Sequence, residues 1–501
     1  MSFSPGGGGG GSLSTDADVS LNSPVMNDVL TYDSTLAKWK NQAPSASSAG
    51  AVEIIVAASN AKSRSKTIAD YQCDGSADEV EINQAIAAAS ALPNGGIVKL
   101  TEGTFTVADT DADGHCIKLL SKVTLTGQGA GTLIMQANAV NGKVVSTTAS
   151  GVDNVVIANL VVDGNSANNP GTGSHCVYGG GSTTRLTVRG VEARNAAARG
   201  LSLNGDDNLI EACEFHHNGN AGIGVETSAV RTRLQGNYCH DNTGDGIYTG
   251  SYEIICIGNR SCSNADTGIN LGGLNAADYG RHICIGNECY LNANSGINTG
   301  GGKHIVIANN ECWANGRRTT TPRSNAGIRV RDNTVQSGGS GVATTSDGIV
   351  VSGNLCWDDT TVYPLPAGAI GQSYGVEVYT QGNGVPTNVV VSDNDLRGNL
   401  QSNYAVNGGT ADATVHVYRN MGWITENAGT TTIASGATGV TVAHGLSQAP
   451  LLQNISVTPT SSLGAATAFW ISSVTTTTFQ IQVAADPGAS GASFAWRIAS
   501  L

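Results

Sequence analysis

The chain has 501 residues, 66 of them glycine, with only 13% charged and a formal net charge of −13. That length calls for more than one module. The acid excess without a basic stripe excludes a phosphate-backbone partner, and no run approaches the ~18 apolar residues of a membrane span.

Residues 1–12, MSFSPGGGGGGS, read as a flexible Gly tail that lacks the basic and apolar regions of a signal peptide. Residues 13–50 hold a compact motif with Pro24, an Asn27-Asp28 turn and the apolar runs VLTY and around Trp39, then a Ser/Ala-rich linker at 44–50. EIIVAAS (53–59) reads as a strand. The segment 70–91 predicts a helix: Ser76 as N-cap with Glu79 three residues on, then Val80, Ile82, Ala85, Ile86 and Ala89 as an apolar stripe. IVKLTEGTFTV (97–107) reads as a hairpin entering a repetitive region.

From about 97 to 422 short Val/Ile-rich strands alternate with Gly, Asn or Asp. Between Arg189 and Asn399 one phrase of about 22 residues recurs: an apolar strand, Gly-Asn, often Cys, then Asn, then Gly-Ile. The Gly-Asn or its substitute stands at 236, 258, 286, 309, 353 and 393, intervals of 22, 28, 23, 44 and 40, the later ones being double turns or turns with insertions. Units this short leave no room for antiparallel return strands. Stacked in register, they form a right-handed parallel β-helix, with the helix as a lid on its first coil. The Asn at 195, 218, 242, 264, 292 and 315, with Asp359 next, are expected to form an amide ladder at one corner. After Met421 the period ends. Residues 423–501 alternate polar and apolar in about six short strands, which predicts a small β-sandwich.

Seven cysteines fall inside the repeat, and Cys239, Cys289, Cys312 and Cys356 share one place that Phe215 fills a repeat earlier. A place accepting Phe or Cys is an inward one, so these read as buried thiols rather than disulfides or zinc ligands. Directly beside it lies an outward column, His216, His240, Tyr290, Trp313 and Trp357, interrupted where Cys262 slips in. Its rings suit either sugar faces or packing beneath insertions at 317–325 and 358–374. A second column lies two residues past each Gly-Ile glycine: Gly224, Tyr248, Asn270, Asn298 and Arg329. His216, His240, Tyr248, Tyr290, Trp313, Arg329 and Trp357 are thus the candidate glycan contacts. Cleavage would need paired carboxylates, for which Asp206 with Asp207, Asp241 with Asp245, and Glu226 are the candidates, a turn role being the alternative. Arg281-His282 and Lys303-His304 are candidates to line a positive groove. No metal or cofactor site is expected.

Three stretches carry a resemblance. DVSLNSPVMNDVLTYDSTLAKWKNQ (18–42) resembles a motif of bacteriophage tail fibres and tailspikes. ADYQCDGSADEVEINQAI with GGIVKLTEGTFTV resembles the opening of pectate-lyase-like β-helices. GVTVAHGLSQAPLLQNISVTPTS with FWISSVTTTTFQIQVAADPGASGASFAWRIA resembles a carboxy-terminal β-domain of phage tail proteins. The resemblance implies a homotrimeric virion protein, free outside the cell after host lysis, whose segment 13–50 joins tail or baseplate proteins. Its β-helix, residues 51–422, would meet a cell-surface polysaccharide. A glycan depolymerase, hydrolase or lyase, on the same scaffold and a purely structural spike stay open. The Asn-Thr-Asp, Gly-His-Gly and Arg-Ile-Lys set of polygalacturonases and the Asp-Pro-His motif of alginate epimerases are absent.

Overall fold

The structure, a computed structural model, describes residues 19–21, 29–33, 35, 37–42, 52–109, 114–148, 151–272, 280–318, 325–332, 345–380 and 384–499. The Gly tail 1–12, Pro24, the Asn27-Asp28 turn and the linker 44–50 lie outside them. The chain forms two compact units, Met1–Val52 and Glu53–Leu501. In the first, Lys38–Gln42 pairs parallel with Val19–Ser20 and antiparallel with Val29–Asp33, and the rings of Tyr32 and Trp39 meet edge-on at 5.4 Å.

In the second unit, strand after strand pairs in parallel with the coil below, which makes a parallel β-helix. A representative coil runs through three short strands: Arg233–Gln235, Tyr238–His240 and Ile247–Thr249. The first two belong to a continuous two-strands-per-coil sheet; the third belongs to an eleven-stranded sheet closing the other side. Gly-Asn recurs because the corner between the first two strands needs a left-handed residue: Gly236, Gly258, Gly286, Asn309, Gly353 and Asp393 all have φ between 54° and 69°.

The core is a set of columns. Phe215, Cys239, Ser261, Cys289, Cys312 and Cys356 stack in register and are wholly buried. All eleven cysteines are buried free thiols. Two ladders of buried amides run beside them. One joins Asn218, Asn242, Asn264, Asn292 and Asn315 through spacings near 3.0 Å, each Oδ1 accepting from the amide below. It continues through Gln372 and Asn399. Asp359 is not a rung; it closes its own turn onto Thr361. Asn195 is also outside the ladder, its left-handed backbone turning the side chain toward Asp163. The second ladder was not expected: the Asn of each Gly-Asn corner, from Asn237 through Asn259, Asn287, Asn310, Asn354 and Asn394 to Asn420, is bonded the same way.

The helix spans Glu79–Ser90 and buries Ile82, Ala85, Ile86 and Ala89. Its N-cap residue is Asp78 rather than Ser76, and Asp78 makes no side-chain cap because its carboxylate accepts from the backbone N–H groups of Gly75 and Thr106. Val80 is exposed and Glu79 takes the inward place, accepting from Ala108. Residues 97–107 are not a hairpin. Gly96–Leu100 and Gly103–Val107 pair parallel with Val123–Thr126 and Thr132–Gln136, separated by a corner at Gly103 with φ 124°. Beyond the last coil, two three-stranded antiparallel sheets share a core of Ile433, Phe479, Ile481, Phe494 and Trp496. No helix among the described residues is long and apolar enough to cross a membrane.

Candidate functional site

The aromatic column forms in the expected register. His216 stacks on His240 at 4.9 Å and 3° between planes, and Tyr290, Trp313 and Trp357 stack at 4.2 and 6.0 Å, with Cys262 between the two groups. Each imidazole is held by carboxylates: His216 contacts Glu192 at 3.3 Å, and His240 contacts Glu214 at 3.0 Å and Asp241 at 2.7 Å. Trp357 lies 6.3 Å from Tyr363, a ring carried by the insertion after it. That insertion is pinned by a two-pronged bond from Arg317 to Asp358. These contacts tie the column to its neighbours, and each of its five rings is half-buried.

The carboxylate candidates separate. Asp206 and Asp207 both bind Arg231, at 3.3 and 2.6 Å, and Asp206 also caps the backbone of Val230. Asp207 has a left-handed backbone, and the Arg231 guanidinium holds its carboxyl below the usual range. This pair serves a turn. Asp241 and Asp245 do not meet: Asp241 turns to His240, while Asp245 accepts from Thr267 N–H at 2.9 Å and from Asn270. The expected positive groove does not form around His282, which is fully buried, with burial pushing its pKa down to about 4. Arg281 pairs with Glu253 instead.

What the fold assembles is a polar recess on the outer face of the eleven-stranded sheet. Gly224, Tyr248, Asn270, Asn298 and Arg329 stack in successive coils, and the column runs on to Glu377. Two residues further along each strand the outward positions are Glu226, Gly250, Gly272, Gly300, Arg331 and Tyr379, because strand side chains alternate faces. Three consecutive glycines thus form a floor beside a wall of Tyr248, Asn270 and Asn298. A Cβ on Gly250 would stand 2.8 Å from the Tyr248 hydroxyl, so the Tyr248 ring lies over Gly250, and all three glycines are buried. Tyr248 and Asn270 are half-buried and Asn298 is 3% exposed.

Charges close both ends. Arg199 pairs with Glu226, lies across Gly224 and sits 5.5 Å over the Tyr248 ring. At the other end Arg329 pairs with the wholly buried Glu377 at 2.9 Å and stacks 4.1 Å over Tyr379. Between them runs a chain of hydrogen bonds with one direction: Arg331 Nε donates to Asn298 Oδ1, Asn298 Nδ2 to Asn270 Oδ1, and Asn270 Nδ2 to Asp245 Oδ2, at 3.0, 3.0 and 3.1 Å. Burial, then the neighbouring Asp266, pushes the Asp245 carboxyl up to about 7, against the pull of Asn270 and Thr267. A carboxyl at that value both gives and takes protons near neutrality. Asp266 itself accepts from Asn294, which is 6% exposed and whose Oδ1 has no donor among the described residues.

Of the sequence candidates, Tyr248, Arg329, Asp245 and Glu226 lie along this face on successive coils; His216, His240, Tyr290, Trp313 and Trp357 lie on the other sheet. Arg199, Asp266, Arg331 and Glu377 join them without any motif that singles them out. The floor glycines were visible as the TG, LGG and TGG that end successive Gly-Ile phrases at 249–250, 271–273 and 299–301.

A family model described as "Right handed beta helix region" matches residues 175–277. No curated protein sequence matches the chain. Among solved structures, the A-module of the Azotobacter vinelandii mannuronan C-5 epimerase AlgE4 is 19% identical with a TM-score of 0.54, covering 68% of this chain and 96% of its own. The AlgE6 A-module gives 19% and 0.51 at the same coverage. The Dettilon tailspike protein gives 15% and 0.51, covering 85% of this chain and 92% of its own. The fold is therefore a right-handed parallel β-helix.

Proposed function

We propose that this chain is a tailspike- or fibre-type protein of a phage tail, which as a homotrimer binds a cell-surface polysaccharide along its β-helix. The observation that carries the reading is the recess: glycine floor, phenol and amide wall, and one aligned hydrogen-bond chain down its length. Such a lining presents polar groups to the hydroxyls of a sugar chain. At about 4.8 Å per coil, the three-glycine floor matches a ligand extended along the axis. The resemblances of segments 18–42 and 439–499 to tail-protein modules support the virion assignment, and the Dettilon tailspike protein carries the same fold. Trimerisation would turn three weak contacts into stable adsorption.

Titration of the full chain with an array of bacterial surface polysaccharides tests this, together with light scattering for the trimer. Binding that is lost on Tyr248→Ala but kept on Trp357→Ala is the expected outcome. A monomer, or adsorption insensitive to every change in the recess, would remove the proposal. Asp245 beside Asp266 favours a second reading, in which the same recess cleaves the glycan. Shorter oligosaccharides after incubation, absent with Asp245→Asn, would establish it.

A further inference from the structure

The charge pattern of the recess specifies more than a sugar. Among the described residues that line or back it, three guanidinium groups (Arg199, Arg329, Arg331) stand against four carboxyls (Glu226, Glu377, Asp245, Asp266). Two of the guanidiniums are committed to carboxylates, Arg199 to Glu226 and Arg329 to Glu377, and Glu377 is fixed again by Asn407 at 2.6 Å. The Nε of Arg331 is directed at Asn298. On the three glycine strands the outward side chains among the described residues are neutral: Tyr248, Asn270 and Asn298. Resting on the glycan-binding reading above, we infer that this recess accepts an uncharged glycan chain and rejects polyanionic ones.

The physical reason is desolvation. A carboxylate on every sugar would leave water for a lining with no uncommitted positive charge on its middle coils among the described residues, and burying an ion without a partner costs far more than burying a hydroxyl that is bonded. It would also approach Asp245 and Asp266 behind the Asn270 wall, in a chain already at −13. Hydroxyls and acetamido groups carry no charge to desolvate and meet no such cost. Selection thus works partly by repulsion. It also separates this chain chemically from the mannuronan epimerases whose fold it shares.

The test uses the full-length protein, an array of neutral bacterial surface polysaccharides, and alginate and polygalacturonate beside it, at low and high salt. We expect binding confined to neutral chains, at least about tenfold tighter than to either polyuronate and insensitive to salt. Polyuronate binding that equals or exceeds neutral binding and falls with salt would overturn the inference while leaving the glycan reading intact. No binding to any polysaccharide would remove both. Glu226→Gln supplies an independent check, because it frees Arg199 from its carboxylate partner, with thermal unfolding showing that the variant is folded. This variant should gain roughly tenfold in polygalacturonate binding, reversed by salt. A correctly folded Glu226→Gln protein that gains nothing would overturn the charge argument.

Discussion

The side chain of Asn270 donates from the coil above to Asp245, Nδ2 to Oδ2 at 3.1 Å, so Asp245 ends the amide chain that Arg331 begins. Its carboxyl sits at about 7 rather than 3.8, mainly through burial and secondly through Asp266. The folded state therefore keeps a proton that the unfolded chain has lost. The unfolded chain binds fewer protons over this window, so stability falls as pH rises from about 4 to about 7. Each unit is worth ~1.4 kcal/mol, which bounds the loss at a few kcal/mol. Thermal melts should show Asp245→Asn losing that slope and matching the wild type best near pH ~4. A variant whose melts retain the wild-type slope would move the titration to another group.

Filling the floor tests the recess without removing any contact. Gly272 is extended, and a Cβ there would lie no closer than 3.4 Å to the Asn270 Oδ1. Gly272→Val should leave the far-ultraviolet spectrum intact and stability within about 1 kcal/mol, since valine suits a strand. Polysaccharide binding should fall at least about tenfold by calorimetry. Unchanged binding would place the ligand elsewhere.

The amide ladder is expected to be costly to interrupt. Asn264→Ala leaves Asn242 N–H and Nδ2 without their acceptor and the Cys239 carbonyl without its donor, all in the core. Each orphaned group costs about 1–3 kcal/mol, so denaturant titration should show a loss of at least about 2 kcal/mol. Asn195→Gly, outside the ladder and suited to the left-handed backbone there, should lose less than about 1 kcal/mol. Equal losses would mean that the ladder adds nothing beyond an ordinary turn bond.

The thiols should be silent. Burial pushes Cys213 and Cys256 up to about 12, and every cysteine is buried. A thiol-specific chromogenic reagent should label none of them in the native protein and all eleven after unfolding. Rapid native labelling of even one would contradict the column packing.

Trp357 separates packing from ligand contact. Its ring lies against Tyr363 and in the stack with Trp313. Trp357→Ala should cost roughly 2–4 kcal/mol by thermal or chemical unfolding and leave glycan affinity unchanged. A stable variant with lost affinity would return this column to the binding surface.

The rod is legible in the residue order alone. A 22-residue phrase with glycine at a left-handed corner and Phe or Cys at one inward place specifies the coil, the register and both outward columns, because parallel stacking places equivalent residues above one another. Even the His/Tyr/Trp ladder and the Gly224-to-Arg329 strip follow in that way. Local pattern yields where long-range bonds compete with it: the helix starts after Asp78 rather than Ser76, with the Asp78 carboxylate turned to Thr106, and the rung of Asp359 goes to Gln372, carried in by an insertion.

Which column lines a recess depends on the folded coils. Two outward columns look alike as text, yet one is packed by Tyr363 and carboxylates, while the other is floored by glycines and closed by Arg199 and Arg329. Spacing alone pairs Asp245 with Asp241, four residues away along a corner that turns them to different sheets. Its real neighbours, Asp266 and Asn270, come from the next coil. Side-chain direction and the low dielectric of a half-buried face set that choice, and neither is written in the order of residues.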